Sequence, residues 1–423
     1  MRLYLTALNP TDSVLDGFLP AAARLGLPVT VLTDQPAAWP ADPAERSGAE
    51  VSGADVRDVR GVLDAVHRGE PAVALLSNSD HLQAPTALAA EYLGLPGKDW
   101  RAALRAKDKR LTRRTVAEAG LDRVAVVALG PDDDADRAGG VPFPAVVKPR
   151  EGVASEDVYL VGGPAELRRR IAEIRARRPG QALLIEEYLD GELHTLETLG
   201  DGGGTGVLGT WRTSLGPPPT FTEEALDWAP ELPRAVVAQV LAQLDALGVG
   251  FGACHTEFVV ADGRARLVEV NYRLIGDRVD LVLADLLDVP LFEHVIRLHA
   301  GDPLPPLPDP VRLPRHARVE YVCADRSGTL VAAPGRMDAT GPDGIRLGCR
   351  PLRAVGVTAA LTGTNRDYLA ALHAIGPGPA PVRAALRDFR AAHRWTIEAP
   401  AGGGAEMPGG GREDDVVTVE EIS

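Results

Sequence analysis

The sequence predicts an α/β protein of several domains, in which a parallel sheet comes first and mixed α+β regions follow. Three observations predict this class. The chain has 423 residues, 45% of them hydrophobic, which is enough for a core divided among two or three domains. Apolar runs alternate with helical patterns over residues 1–105, as in parallel sheets with crossover helices. Further on, two strand patterns are separated by Asp262-Gly263, which predicts an antiparallel hairpin.

The composition excludes several classes of partner. Lys and Arg number 45 against 59 Asp and Glu, a formal net charge of −14, so we expect no electrostatic binding to nucleic acid or to a membrane surface. Cys254, Cys323 and Cys349 lack the spacing of metal ligands and offer no disulfide framework. The N-terminus lacks a signal-peptide pattern, and no apolar run approaches about 18 residues. We therefore expect a cytoplasmic protein.

Residues 1–105 are expected to form the parallel α/β domain. Its predicted strands are 3–8, 29–33 and 72–77, and its predicted helices lie near 13–25 and 85–93. The polar segments 9–13 and 77–80 then lie at the carboxyl ends of strands, where such sheets bind ligands, although turns and helix caps are the commoner use of these residues. No Gly-x-Gly-x-x-Gly follows the first strand, so a dinucleotide-binding dehydrogenase is not expected.

Residues 106–199 are expected to form a small mixed α+β domain with three charged features. A basic helix from Ala102 to about Gly120 contains Lys107-Asp108-Lys109. A strand at 143–150 carries Lys148 and precedes the small-residue loop 151–155, and an apolar strand from Leu183 runs into Glu186-Glu187. A cation beside such a loop suits phosphate, because loop amides can donate hydrogen bonds to its oxygens. Each feature alone is more often a solvated helix face, a surface Lys or a buried strand.

The most specific pattern lies in residues 200–301, after a predicted helix at 234–247. His255 and Glu257 alternate on one predicted strand, and Glu269, Asn271 and Arg273 alternate on the next. Side chains two residues apart share a face of a strand. If Glu257 pairs with Glu269, two carboxylates, an amide oxygen and a guanidinium converge, whereas a shift of one residue would turn Glu257 to the other face.

This cluster predicts a Mg²⁺ site that also receives phosphate, because hard cations take oxygen ligands and Arg can bind phosphate through two hydrogen bonds. A strand pair with surface ion pairs is the alternative. Two acids opposite each other would repel without a counter-ion, which favours the metal. Cys254 and His255 are adjacent on a strand and point to opposite faces, so a thiol–imidazole pair is not expected.

Residues 302–398 are expected to form a C-terminal subdomain, which begins with the Pro-rich stretch 303–308 and contains Asn365-Arg366-Asp367-Tyr368 before a helical run. Residues 399–423 combine Gly runs with acids and cannot support a core, so we predict a disordered tail.

Taken in order, these features resemble the ATP-grasp superfamily over about residues 100–300. The resemblance implies a Rossmann-like pre-ATP-grasp domain, a small lid subdomain, a large subdomain with the metal site and a C-terminal subdomain. It also implies ATP and Mg²⁺ as cofactors, with Mn²⁺ as the alternative metal. The residues it places at the nucleotide are Lys109, Lys148, Ser155 of the loop over the phosphates, the hinge residues Glu186, Glu187, Tyr188 and Leu189, and Glu192 at the ribose. The metal ligands it implies are Glu257, Glu269 and Asn271, and the catalytic residue is Arg273, which would hold the transferred phosphate.

The sequence departs from the family pattern at three places. The usual Gly-x-Glu after the hinge reads Gly191-Glu192-Leu193, the usual Asn-Pro-Arg reads Asn271-Tyr272-Arg273, and the phosphate loop contains only Gly152. These departures affect the expected substrate shape and loop mobility more than ATP binding.

The resemblance implies an ATP-dependent ligase that activates a small carboxylate as an acyl phosphate for attack by an amine, with Glu197 and residues 271–278 lining the acceptor pocket. Residues 9–13 and 271–277 are similar to ligases of siderophore and other natural-product pathways. The alternatives are a carboxylase, a purine-type ligase, and an ATP-binding regulator with a degenerate site. The longer chains and richer Gly loops of biotin carboxylase relatives argue against the first, and the retained Glu257, Glu269, Asn271 and Arg273 argue against the regulator. A homodimer is compatible with the resemblance.

Overall fold

The structure is a computed structural model that describes residues 1–40 and 48–399. The predicted tail lies outside the described residues from 400 onward. Within the described ranges, the helices are too short or too polar to cross a membrane.

The N-terminal region is a parallel sheet with helices, as predicted. Its elements are β1 (Arg2–Thr6), a π-helical turn (Ser13–Phe18) that continues into α1 (Leu19–Arg24), β2 (Val29–Thr33), β3 (Glu50–Gly53), α2 (Val59–Arg68), β4 (Ala72–Ser77) and α3 (Gln83–Tyr92). The strands lie in the order β3-β2-β1-β4. Asn78 and Asp80 directly follow β4, so they lie at the carboxyl edge of the sheet, as predicted.

The basic helix that the sequence predicts from Ala102 to Gly120 is in fact two helices, α4 (Trp100–Lys107) and α5 (Lys109–Glu118). The residue between them, Asp108, has an extended backbone (φ −87°, ψ 102°). Its carboxylate accepts hydrogen bonds from the amides of Arg110 and Leu111 at 2.9 and 3.2 Å. A side chain that caps the next helix in this way competes with helix continuation, so α5 begins at Lys109.

A small antiparallel sheet, the lid sheet, lies within residues 106–199, where a lid subdomain is predicted. Its elements are β5 (Val126–Leu129), β6 (Ala145–Pro149), β7 (Tyr159–Val161), α6 (Pro164–Arg177) and β8 (Leu183–Glu187), with strand order β5-β8-β6-β7. Val147 and Ile185 pair across β6 and β8 and lie in the core beneath α6. Lys148 and Glu186 alternate with them and therefore face away from that core.

The largest sheet has nine antiparallel strands and runs through the rest of the chain in the order β13-β12-β9-β10-β11-β14-β19-β17-β16. Its strands are β9 (Glu192–Asp201), β10 (Thr205–Leu215), β11 (Glu223–Trp228), β12 (Phe251–Ala261), β13 (Arg264–Asn271), β14 (His316–Cys323), β16 (Met337–Thr340), β17 (Arg346–Pro351) and β19 (Tyr368–Gly376). The longer helices around it are α7 (Arg234–Leu247), α8 (Val279–Leu287), α9 (Leu291–His299) and α10 (Pro379–Ala392). A separate small sheet is formed by β15 (Gly328–Ala332), β18 (Thr358–Ala359) and β20 (Thr396–Glu398).

The large sheet continues across the predicted division at residue 301, since β11 pairs with β14. The proposed domain limits remain a prediction.

Candidate active site

The hairpin of β12 and β13 has the register that the predicted metal cluster requires. Glu257 pairs with Glu269, and His255 pairs with Asn271. A register shift follows Glu257 on β12, so the in-register part ends with the two carboxylates. The convergence of these acids on one face is therefore confirmed.

Arg273 lies beyond the strand that was expected to carry it. β13 ends at Asn271, so the alternation of faces does not determine where Arg273 points. Its side chain is only 2% exposed, and Nη1 donates hydrogen bonds to the carbonyls of Leu274 and Ile275, both at 2.8 Å. Burial raises the pKa of the nearby Asp277 to about 7, and the positive charge of Arg273 opposes that rise. Arg273 is thus buried, with Asp277 nearby, rather than open to solvent.

A cleft between the lid sheet and the nine-stranded sheet collects most of the predicted residues. It encloses about 1000 Å³ between protein atoms, part of it open to solvent. The predicted residues that line it are Lys109, Lys148, Ser155, Glu186, Glu187, Tyr188, Leu189, Glu257 and Glu269. Glu192, Asn271 and Arg273 lie outside this lining. Its lining combines apolar side chains with charged groups, as the lining of a small-molecule site does.

Two lysines bring positive charge into this cleft. Lys109 Nζ lies 2.5 Å from Glu269 Oε1, and Lys148 Nζ lies 2.7 Å from Glu186 Oε2. Burial disfavours the charged form of Lys109, but the Glu269 carboxylate outweighs it and raises the pKa of Lys109. For Lys148 burial prevails and lowers the pKa, although Glu186 opposes it. Both ammonium groups are therefore held in place by carboxylates of the cleft.

The carboxylate of Glu186, one of the predicted hinge residues at the nucleotide, is occupied by protein cations. Arg113 contacts both of its oxygens, with Nε at 2.9 Å from Oε1 and Nη2 at 3.0 Å from Oε2. Despite burial, Arg113 and Lys148 hold the pKa of Glu186 well below its usual value. Glu186 is thus placed to hold Lys148 in position through their ion pair. The next hinge acid, Glu187, is likewise paired, with Arg266 Nη2 at 2.5 Å.

The loop over the cleft, residues 150–158, is tied to two other parts of the chain. Arg150 Nε lies 2.9 Å from an Asp108 oxygen, which links the loop to the start of α5. The carbonyl of Ala154 accepts a hydrogen bond from the Asn365 amide at 3.2 Å, and Glu156 pairs with Arg366. Ala154, Ser155 and Asp157 each have φ of 55°, an uncommon conformation for residues with a side chain. The loop is thus closed onto the C-terminal region.

Comparison with known proteins identifies the fold. A family model of the ATP-grasp N-terminal domain matches residues 19–97, and a model of the ATP-grasp domain matches residues 141–280. The chain has the ATP-grasp fold. The predicted fold class is confirmed.

Relatives of this ATP-grasp chain include the protein y4rH of Sinorhizobium fredii, 27% identical over 343 residues that cover 78% of this chain and 70% of that protein. Carnosine synthase 1 of Gallus gallus is 29% identical over 235 residues, which cover 49% of this chain but only 25% of that protein. The L-amino acid ligase from Bacillus licheniformis superposes with a TM-score of 0.77 at 20% identity, over 94% of this chain and 98% of that chain. The biotin carboxylase domain of the 2-oxoglutarate carboxylase of Hydrogenobacter thermophilus, in complex with MgADP, gives a TM-score of 0.67 at 17% identity, over 94% and 91%. At these identities the two structures establish the fold and no more.

The ATP-grasp metal site needs oxygen ligands, and the donor set at the hairpin fits Mg²⁺. Glu257, Glu269 and Asn271 supply two carboxylates and one amide oxygen, which leaves positions for phosphate oxygens and water. In the part of the chain that the structure describes, no three His, Cys, Asp or Glu side chains are arranged to hold a metal by themselves. The ligand assignment remains a prediction.

The sequence predicted neither the pairing of His255 with Glu197 nor the place of Glu223 in the ATP-grasp cleft. His255 Nδ1 lies 2.8 Å from Glu197 Oε1, and its Nε2 lies 3.5 Å from Glu257 Oε1, so the ring bridges the two acids. Burial opposes the charged form, but Glu197 above all raises the pKa of His255 to about 10. Glu223 lines the cleft from β11, where burial and then Glu257 raise its pKa to about 8. Glu223 stands beside another acid at the start of β11, and this pattern does not by itself predict a residue of the cleft.

The acid predicted to hold the ribose, Glu192, has a side chain 69% exposed, with His194 Nε2 at 3.6 Å. Its assignment to the ribose remains a prediction without a contact to support it.

Proposed function

We propose that this ATP-grasp protein is an ATP-dependent ligase that joins a carboxylate to an amine, with ADP and phosphate as the other products. The observation that carries the proposal is the convergence of Lys109 and Lys148 with the Glu257–Glu269 pair in one cleft. The overall likeness to an L-amino acid ligase and the match to carnosine synthase 1 support the amide-forming reaction. Small amino acids and their relatives are the first substrates to test.

The chain would perform this reaction mainly by placing charge. The two lysines lie where they can neutralise phosphate oxygens, and loop 150–158 covers them. Mg²⁺ held by Glu257, Glu269 and Asn271 would supply further charge neutralisation. A carboxylate oxygen attacks the γ-phosphorus and the bond to the ADP oxygen breaks. The amine nitrogen then attacks the acyl carbon, phosphate leaves, and the amine proton passes to solvent. Arg273 would hold the transferred phosphate through both steps.

Carboxylation through carboxyphosphate is the second candidate, since a biotin carboxylase domain also shares the fold, at a TM-score of 0.67 against 0.77 for the ligase. A role in siderophore or other secondary metabolism depends only on the similarity of residues 9–13 and 271–277, and it is a proposal for later substrate screening.

The test is ADP formation with Mg²⁺-ATP and a panel of amino acids, with mass spectrometry of the amide product. We expect Glu257→Gln and Glu269→Gln to lower turnover at least about 100-fold, since each removes a charged metal ligand from the transition state. Glu118→Gln, an exposed acid at the end of α5, is the matched control. ADP release that requires bicarbonate alone would favour the carboxylase. Tight ATP binding without turnover of any carboxylate would favour the regulator.

A further inference from the structure

Two side chains of the N-terminal region hold the peptide groups on either side of Arg273. Lys98, in the connection between α3 and α4, donates a hydrogen bond through Nζ to the Tyr272 carbonyl. Asn78, directly after β4, accepts one at Oδ1 from the Leu274 amide at 3.1 Å. The carbonyl before Arg273 and the amide after it are therefore both held by residues outside the nine-stranded sheet.

A buried network holds Lys98 in turn. Its Nζ also donates to Gln83 Oε1 at 2.7 Å and lies 4.6 Å from the centre of the Tyr272 ring. Gln83 Nε2 donates to the carbonyls of Ser77 and Ser79 at 3.1 and 2.7 Å. Ser77, Ser79 and Gln83 flank Asn78, so a single loop at the carboxyl edge of the parallel sheet supports both contacts.

The same loop supplies an acid whose charge acts on Arg273. Asp80 is buried and pairs with Lys107. Burial would raise the pKa of Asp80, but Lys107 and then Arg273 lower it to about 2. Among the described residues the buried Nε of Arg273 has no hydrogen-bond partner, while Nη1 is bonded to the carbonyls of Leu274 and Ile275. The direction of the guanidinium therefore depends on the local backbone, which Asn78 and Lys98 fix.

We propose that Asn78 and Lys98 are positioning residues, which hold the backbone of residues 272–274 so that the Arg273 guanidinium points to the transferred phosphate. The inference depends on the proposed ligase function for the role of Arg273. In this proposal the polar segment 77–80, which lies where parallel sheets usually bind ligands, supports the backbone around Arg273.

The first test compares three substitutions. Asn78→Leu keeps the branched shape of the side chain and removes the acceptor, and Lys98→Met removes the amino-group donor. We expect each to lower kcat about tenfold, because a looser backbone would direct the Arg273 guanidinium less well at the transferred phosphate, with an unchanged KM for ATP. Asn78→Asp keeps an acceptor for the Leu274 amide and should recover most of the lost kcat. The matched control is Gln239→Leu, which removes the acceptor of the Ala265 amide at the far end of β13 and should leave kcat unchanged.

A double-mutant cycle with Arg273→Ala separates positioning from general support of the fold. If Asn78 acts through Arg273, Asn78→Leu should have no further effect on single-turnover ADP formation in the Arg273→Ala background. An equal loss in both backgrounds would overturn the proposal. Should Asn78→Leu not fold, Asn78→Ser serves in its place, because its shorter side chain does not reach the Leu274 amide.

Hydrogen exchange of the peptide that contains residues 272–276 tests the geometry without any activity. Faster exchange of the Leu274 amide in Asn78→Leu, and protection regained in Asn78→Asp, would support the positioning contact even if wild-type protein forms no amide. Exchange that is unchanged in Asn78→Leu would refute it, whatever the substrate of the enzyme is.

Discussion

At the scale of single residues, Glu186 shows how a motif position and its physical role differ. The family resemblance implies that this acid lies in the hinge at the nucleotide, but its carboxylate lies between Arg113 and Lys148, two cations as buried as itself. A buried charge that loses its partner is costly, so each member of this trio depends on the other two. Glu186 therefore contributes to the site by keeping Lys148 charged and in place.

We predict that Glu186→Gln lowers the free energy of unfolding by about 3–5 kcal/mol at pH 7, because it leaves two buried cations without their carboxylate. The pKa of Glu186 is depressed in the folded protein, so its contribution is present above the unfolded value of about 4.3 and is lost as the pH falls. Urea unfolding at pH 7 and pH 3 measures the free energy of unfolding of both proteins. The difference in this free energy between wild type and Glu186→Gln should be smaller at pH 3 than at pH 7. Glu187→Gln, which breaks a pair with a partly exposed Arg266, should cost about 1 kcal/mol or less.

The sequence left two registers open for the hairpin, and the structure has the one in which Glu257 pairs with Glu269. It could not predict the position of Arg273, because the end of a strand is set by packing and by contacts such as that of Asn78 with Leu274. It also missed the partner of Glu186, since Arg113 is 73 residues away and only the packing of α5 under β8 and β13 brings them together.

At the scale of elements, the break between α4 and α5 directs Lys109 into the cleft. The sequence predicts one continuous helix over these residues. The structure has two, because the side chain of Asp108 caps α5. The same carboxylate binds Arg150 of the cleft loop, so one residue both starts a helix and anchors the loop.

We predict that Asp108→Ala lowers the free energy of unfolding by about 1–2 kcal/mol, the value of a helix N-cap, and also loosens loop 150–158. Hydrogen exchange of the loop measures the second effect. Asp99→Ala is the control, because Asp99 caps α4 through the Arg101 amide at 2.8 Å and does not bind Arg150. Equal exchange of the loop in both variants would show that Asp108 acts only as a cap.

At the scale of the whole molecule, distant parts of the chain meet at the cleft. The turn at Asn365–Asp367 contacts the loop through the Asn365 amide and Arg366, and it contacts β11 through Asn365 Oδ1, 3.1 Å from the Glu223 amide. Alternation of strands and helices predicted the N-terminal sheet, but such contacts over some 200 residues leave no local pattern. Residues of the region 302–398 therefore contact the loop of the cleft directly, which its sequence did not indicate.

We predict that Arg366→Ala weakens ATP binding about threefold to fivefold, because the loss of the Glu156 pair, worth about 1 kcal/mol or less, favours an open loop. Binding is measured by titration calorimetry, together with hydrogen exchange over residues 150–158. Arg383→Ala, which removes an ion pair with Asp227 on the same C-terminal region, is the control. Unchanged affinity and exchange in Arg366→Ala would mean that the loop closes without this contact.

The nine-stranded sheet limits how the protein can be divided. β11 forms its hydrogen bonds on one side with β10 and on the other with β14, which lies beyond residue 301. A fragment that stopped at 301 would leave the backbone groups of β11 that face β14 as an unprotected edge, a template on which other chains can add strands. Expression of the ATP-grasp core alone would thus yield self-associating material, and an active shorter version would have to retain β14 and its partner β19.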